Sequence, residues 1–100
     1  MSQIGRELHL TLQAAVREAI SRRHAYVTVE HLLFALLHDE RGIEILRHSG
    51  ADVAALRAAI ERFFAEDLER VPGDDPFDAR QTLAFHRVLQ HAVRWMEAAC

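Results

Sequence analysis

A chain of 100 residues with 50% hydrophobic and 27% charged residues is long enough for one self-supporting core and too apolar for disorder. Charge interrupts the apolar residues too often for a membrane span, and a formal net charge of -3 gives no field that would gather nucleic acid or an anionic membrane surface. Two prolines and four glycines leave long helices as the natural building block, so the expected class is all-α, with about five helices.

The first helix is predicted from Ile4 to Ile20. Ile4, Leu8, Leu12, Ala15, Val16, Ala19 and Ile20 recur at three- and four-residue steps and line one face. "SRRHAYVT" breaks that pattern, and Thr28 then offers a hydroxyl as N-cap of a second helix, "VEHLLFALLH". This second helix is apolar on nearly every side, which places it at the centre of the domain. Its Glu30 sits in the first turn, where the helix dipole favours an anion.

"RGIEILRHS" predicts a short third helix ending at Gly50, a residue that takes left-handed dihedrals without a Cβ clash. Asp52 is the N-cap candidate for a fourth, whose stripe is Val53, Leu56, Ile60, Phe63, Phe64 and Leu68. "ERVPGDDPFDARQ" carries both prolines and a group of aspartates and reads as an exposed acidic loop. Thr82 caps a final helix, "LAFHRVLQHAVRWMEAAC".

That last helix repeats the first. With Leu12 aligned to Leu89, His9/His86, Leu12/Leu89, Gln13/Gln90, Ala15/Ala92, Val16/Val93 and Arg17/Arg94 coincide. Chance matching of common helix formers accounts for single pairs; the unbroken "AVR" and the paired His and Gln argue for duplication. "LQAAVREAISRRHAYVTVEHLLFALL", and within it "TVEHLLFALL" from Thr28 to Leu37, resembles the opening of the Clp N-terminal domain, the double helical repeat at the front of Clp/Hsp100 unfoldase ATPases. "QTLAFHRVLQHAV", Gln81 to Val93, is most similar to the ClpA type.

The resemblance implies a first repeat over residues 1–70, an acidic linker over 71–81 and the start of a second repeat over 82–100, all in one domain. The counterpart of "TVEHLLFALL" does not recur, so apolar positions around Val88, Val93 and Trp95 are expected to lack cover. Either the chain is a truncated piece or another chain, including a second copy of this one, covers that face.

Chemistry of the usual enzymatic kinds has little footing here. No phosphate-binding G-x-x-x-x-G-K-[ST] loop occurs, so no cofactor is expected in this chain, and ATP would belong to a longer parent. His31 and His38 lie two turns apart, about 10 Å along an axis, too far to share one zinc. "EHLLF" is not H-E-x-x-H, and His86 and His91 diverge around their helix, so no metal site is expected. Arg22 and Arg23 read as a solvated face. His24, in the loop before the second helix, has an ordinary loop histidine as its competing reading.

No catalytic residues are expected either, since no serine or cysteine shows a base and an orienting partner. Cys100, the single cysteine, allows no internal disulfide and points to a reducing compartment, and "MSQIGRELHL" has no signal-peptide core, so the cytoplasm is the expected location. What remains is protein binding. The resemblance implies docking of the adaptor ClpS and of substrate proteins, in company with the Clp ATPase ring and its protease. By motif it carries the contact to Glu30 and Thr82, and less directly to His24 and Gln81. For Glu30 the alternative role is dipole stabilisation, and for Thr82 it is helix capping.

Overall fold

The computed structural model describes the backbone over residues 3–99 and side chains over 5–94. The calls on Ile4, Trp95 and Cys100 therefore fall outside the described side chains. Five helices and one minimal sheet make up the described residues: α1 (Gln3–Ser21), β1 (Tyr26–Val27), α2 (Val29–Leu36), α3 (Glu40–His48), α4 (Val53–Glu66), β2 (Arg80–Gln81) and α5 (Leu83–Ala99).

α2 is the hub, touching α1, α3, α4 and α5. It separates two apolar clusters. On one side Ala15 and Ala19 of α1 meet Val27 and Phe85, with Leu32 and Ala35 of α2 packed on them; on the other Phe34 and Leu37 of α2 meet Ile60 and Phe64 of α4. Ala15 and Ala19, fully buried in α1, have small side chains that let α2 approach closely. That is why Ile20, predicted on the buried stripe, is pushed to the rim and left exposed.

Local chemistry fixes the helix ends. α2 stops at Leu36, short of the predicted His38, because Asp39 already adopts extended dihedrals as the N-cap of α3. His38 closes the turn instead, its Nδ1 2.8 Å from the carbonyl oxygen of Phe34. After α3, Gly50 takes φ 87°. Its amide donates to Arg47 O while that of Ala51 donates to Leu46 O, both at 3.0 Å, which closes a Schellman motif. Asp52 caps α4 through Oδ1, which accepts from the amide of Ala55 at 3.0 Å.

The acidic segment after α4 is exposed along most of its length but tied down at intervals. Val71 N donates to Arg23 O at 2.7 Å, His24 bridges to Arg70, and the guanidinium of Arg23 donates to the carbonyls of Val71 and Asp75 at 3.0 and 3.1 Å. Arg23 holds a left-handed φ of 58° and lies over the ring of Phe77. Arg22 bonds Glu18 at 2.6 Å and Glu61 at 3.2 Å and covers the rings of Phe34 and Phe64. Both arginines are thus structural tethers, correcting their reading as a solvated face. Gln81, read as the end of the linker, is a strand residue.

Gly42 sits where α3 crosses the end of α2, and a Cβ there would overlap the backbone carbonyl of Leu36. Gly42→Ala is therefore expected to cost about 2 kcal/mol or more, read as a lower urea midpoint at unchanged slope.

Candidate functional site

Two-residue strands carry no periodic signal, yet β1 and β2 organise the surface that matters. They pair in parallel, Tyr26 opposite Arg80 and Val27 opposite Gln81. Arg80 N donates to Ala25 O at 3.0 Å and Thr82 N to Val27 O at 3.1 Å. Parallel pairing sends both chains in the same direction into helices, so α2 and α5 begin side by side. Each start has a threonine cap: Thr28 forms a reciprocal capping box with His31, and Thr82 Oγ1 accepts from the amide of Phe85 at 3.2 Å.

The structure accordingly brings Glu30, Gln81 and Thr82 to one end of the domain. Glu30 is partly exposed in the first turn of α2, Gln81 is exposed with Oε1 3.3 Å from Nδ1 of His86, and Thr82 is half-buried by its capping role. Two capped helix starts and the carboxylate in the first turn of α2 give this end positive dipole ends and an acceptor for a partner. Beside it, a shallow groove of about 330 Å³ between α1 and α5 is lined by Leu12, Val16, Phe85 and Leu89, with Gln81 among its walls.

His24 is placed differently. At 2% exposure it is buried beneath the loop, with Nδ1 2.9 Å from Nε2 of His31, itself 0% exposed. The amide of Thr28 donates to Nδ1 of His31 at 2.9 Å, and Oγ1 of Thr28 lies 2.9 Å from the same nitrogen. An amide can only donate, so Nδ1 of His31 is bare and its proton is on Nε2, directed at Nδ1 of His24. That nitrogen is then an acceptor, and the proton of His24 is on its own Nε2. Both rings pack on Phe64, His31 stacked at 4.6 Å between centroids and His24 tilted at 5.3 Å.

This environment keeps both imidazoles neutral. Burial, then the neighbouring His24 and Arg22, push His31 down to about 4. Burial, then Arg22 and Arg70, lower His24 too, against weaker opposing pulls from Glu18 and the Phe64 backbone. The sequence considered His31 only as half of an impossible zinc pair with His38. The available signal was Thr28-Val29-Glu30-His31, a capping-box spacing with histidine where glutamate or glutamine usually stands. Among the described residues no group of three His, Cys, Asp or Glu is arranged to hold a metal ion, and no helix is long and apolar enough to cross a membrane.

Comparison with known proteins agrees with the geometry. The family described as the Clp repeat (R) N-terminal domain matches residues 4–99. A curated relative, "ClpA homolog protein" of Fuscovulum blasticum, is 33% identical over 86 residues, which is 85% of this chain and 11% of the relative. The chain thus spans about a tenth of that relative's length.

The buried pair yields a pH dependence with a definite sign. The folded value of His31 lies below its unfolded one, so its contribution is complete above the unfolded value and is lost as pH falls towards about 4. Between neutrality and mild acid the loss is on the order of 2 kcal/mol, measurable as a falling urea midpoint, and His31→Gln is expected to flatten the profile.

Proposed function

The chain belongs to the Clp repeat N-terminal domain family, and from that premise we propose that it docks the adaptor ClpS and substrate proteins for a ClpA-type unfoldase. Domains of this family are non-catalytic docking modules, so its part is recruitment, and ATP chemistry belongs to a longer parent protein. The observation that carries the reading is the parallel β1–β2 pair, which juxtaposes Glu30 with Gln81 and Thr82 on one accessible end.

Each has a role there. Glu30 presents a carboxylate to a basic or hydrogen-bonding partner, Gln81 an amide, and Thr82 a backbone and hydroxyl already ordered by capping, so little entropy is lost on contact. The adjoining groove offers Leu12 and Leu89 to an apolar side chain of the partner. His24 supports this face from beneath. A domain of this kind, flexibly tethered to an ATPase ring, raises the local concentration of cargo at its entrance.

A second reading is favoured by α5, where Val88 and Val93 are each 39% exposed at the edges of the stripe that buries Phe85. On it the chain is a stand-alone interaction protein that dimerises through this incomplete half. Light scattering at high concentration discriminates: a dimer supports that reading, and a clean monomer removes it.

For the docking reading, Glu30→Lys is expected to weaken ClpS binding by about tenfold in calorimetry while the helical circular dichroism signal is retained. Unchanged affinity would take Glu30 out of the interface.

A further inference from the structure

The docking face rests on a feature that binding alone does not explain: two buried histidines hydrogen-bonded to one another, His24 in the loop before α2 and His31 in its first turn. A neutral core could have been built here from leucine and phenylalanine without the cost of burying four ring nitrogens. The arrangement instead runs from the amide of Thr28 through His31 to His24, with the backbone of Phe64 beyond it. It links the N-cap of α2 to the end of α4.

We propose that the His24–His31 pair is the positioning element of the docking face, a tautomer-locked hydrogen-bonded wire that holds the starts of α2 and α5 in register and releases them when either ring gains a proton. The proposal rests on the docking reading above. His24 and His31 touch no partner; they act through Glu30, Gln81 and Thr82.

The bonding opposes a second proton on either ring. A proton added to Nδ1 of His24 would set one N–H against the N–H of His31, and a proton added to Nδ1 of His31 would set one against the amide of Thr28. Either way a bond is lost and a charge appears against the face of Phe64, where no carboxylate compensates it directly. The charged groups around the pair are Glu18 of α1, Arg22 of the following turn, Glu61 of α4 and Arg70 beyond it. Arg22 is already paired with both glutamates and, with Arg70, opposes a further cation.

Relief requires the 24–28 loop to move. That loop supplies the Ala25 and Val27 carbonyls on which Arg80 and Thr82 hang, so its movement separates α2 from α5 at the docking end. α3 has no part in the wire and keeps its contacts with α2 and α4.

Nitrogen-15 NMR of the intact chain tests this without any partner. At about pH 7.5 both rings are expected to show Nε2–H tautomers, and on acidification the Glu30 and Thr82 amide resonances should move with the same midpoint as the rings, below the usual histidine value. A ring carrying its proton on Nδ1, a ring titrating as a solvated histidine, or amides that ignore the ring transition would each overturn the wire.

Binding supplies the second arm. His31→Leu keeps the bulk and loses the bonds, and is expected to weaken ClpS about tenfold at neutral pH. His31→Gln restores an acceptor for Thr28 and a donor for His24, and is expected to recover affinity to within about threefold of the original. A leucine variant that binds as tightly as the unmodified chain contradicts the positioning role. If that variant does not fold, the titration of the unmodified chain decides. If the unmodified chain itself ignores ClpS, the docking reading fails while the NMR arm still judges the wire.

Discussion

Keeping two imidazoles neutral between two apolar clusters is the constraint on which the rest of this domain depends. Burial alone would expel them. They stay because every ring nitrogen that faces the interior has a partner of the opposite kind, an arrangement that costs little once complete and much when half complete. The consequence is directional rather than merely stabilising. The wire ends on the amide of Thr28, so it fixes where α2 begins, and through Ala25 and Val27 it fixes where β2 and α5 begin.

α2 then works as a two-sided wedge. Its Leu32 and Ala35 close on the alanines of α1, while Phe34 and Leu37 close on Ile60 and Phe64 of α4. A helix with apolar residues on most sides is unstable alone and becomes ordered only with neighbours all around it. That mutual dependence explains how an eight-residue helix can be the most connected element of the fold.

Much of this was legible in the sequence wherever a single residue carries its own rule. Asp52 capping α4, Gly50 at a left-handed terminus and Thr82 opening α5 follow from local chemistry that needs no tertiary information. Stripes gave the helices, and the resemblance of "TVEHLLFALL" gave the family. What escaped was set by partners distant in sequence. β1 and β2 are too short for an alternating pattern, and Arg22 and Arg23 look solvated until Glu61, Phe64 and Phe77 are folded against them. His31 was hidden because it occupies a position that sequence rules assign to glutamate or glutamine.

The parallel ladder joins residues 26–27 to residues 80–81, so its closure requires three helices and an acidic segment to be in place beforehand. Long-range pairings of this kind form late, after local structure has offset the entropy of closing the loop. During synthesis the first 70 residues emerge able to build α1 to α4 but not the paired helix starts. The paired starts of α2 and α5 therefore arise together, in the single event that seats the Thr82 amide on the carbonyl of Val27, and no shorter stretch of the chain contains both halves of that ladder.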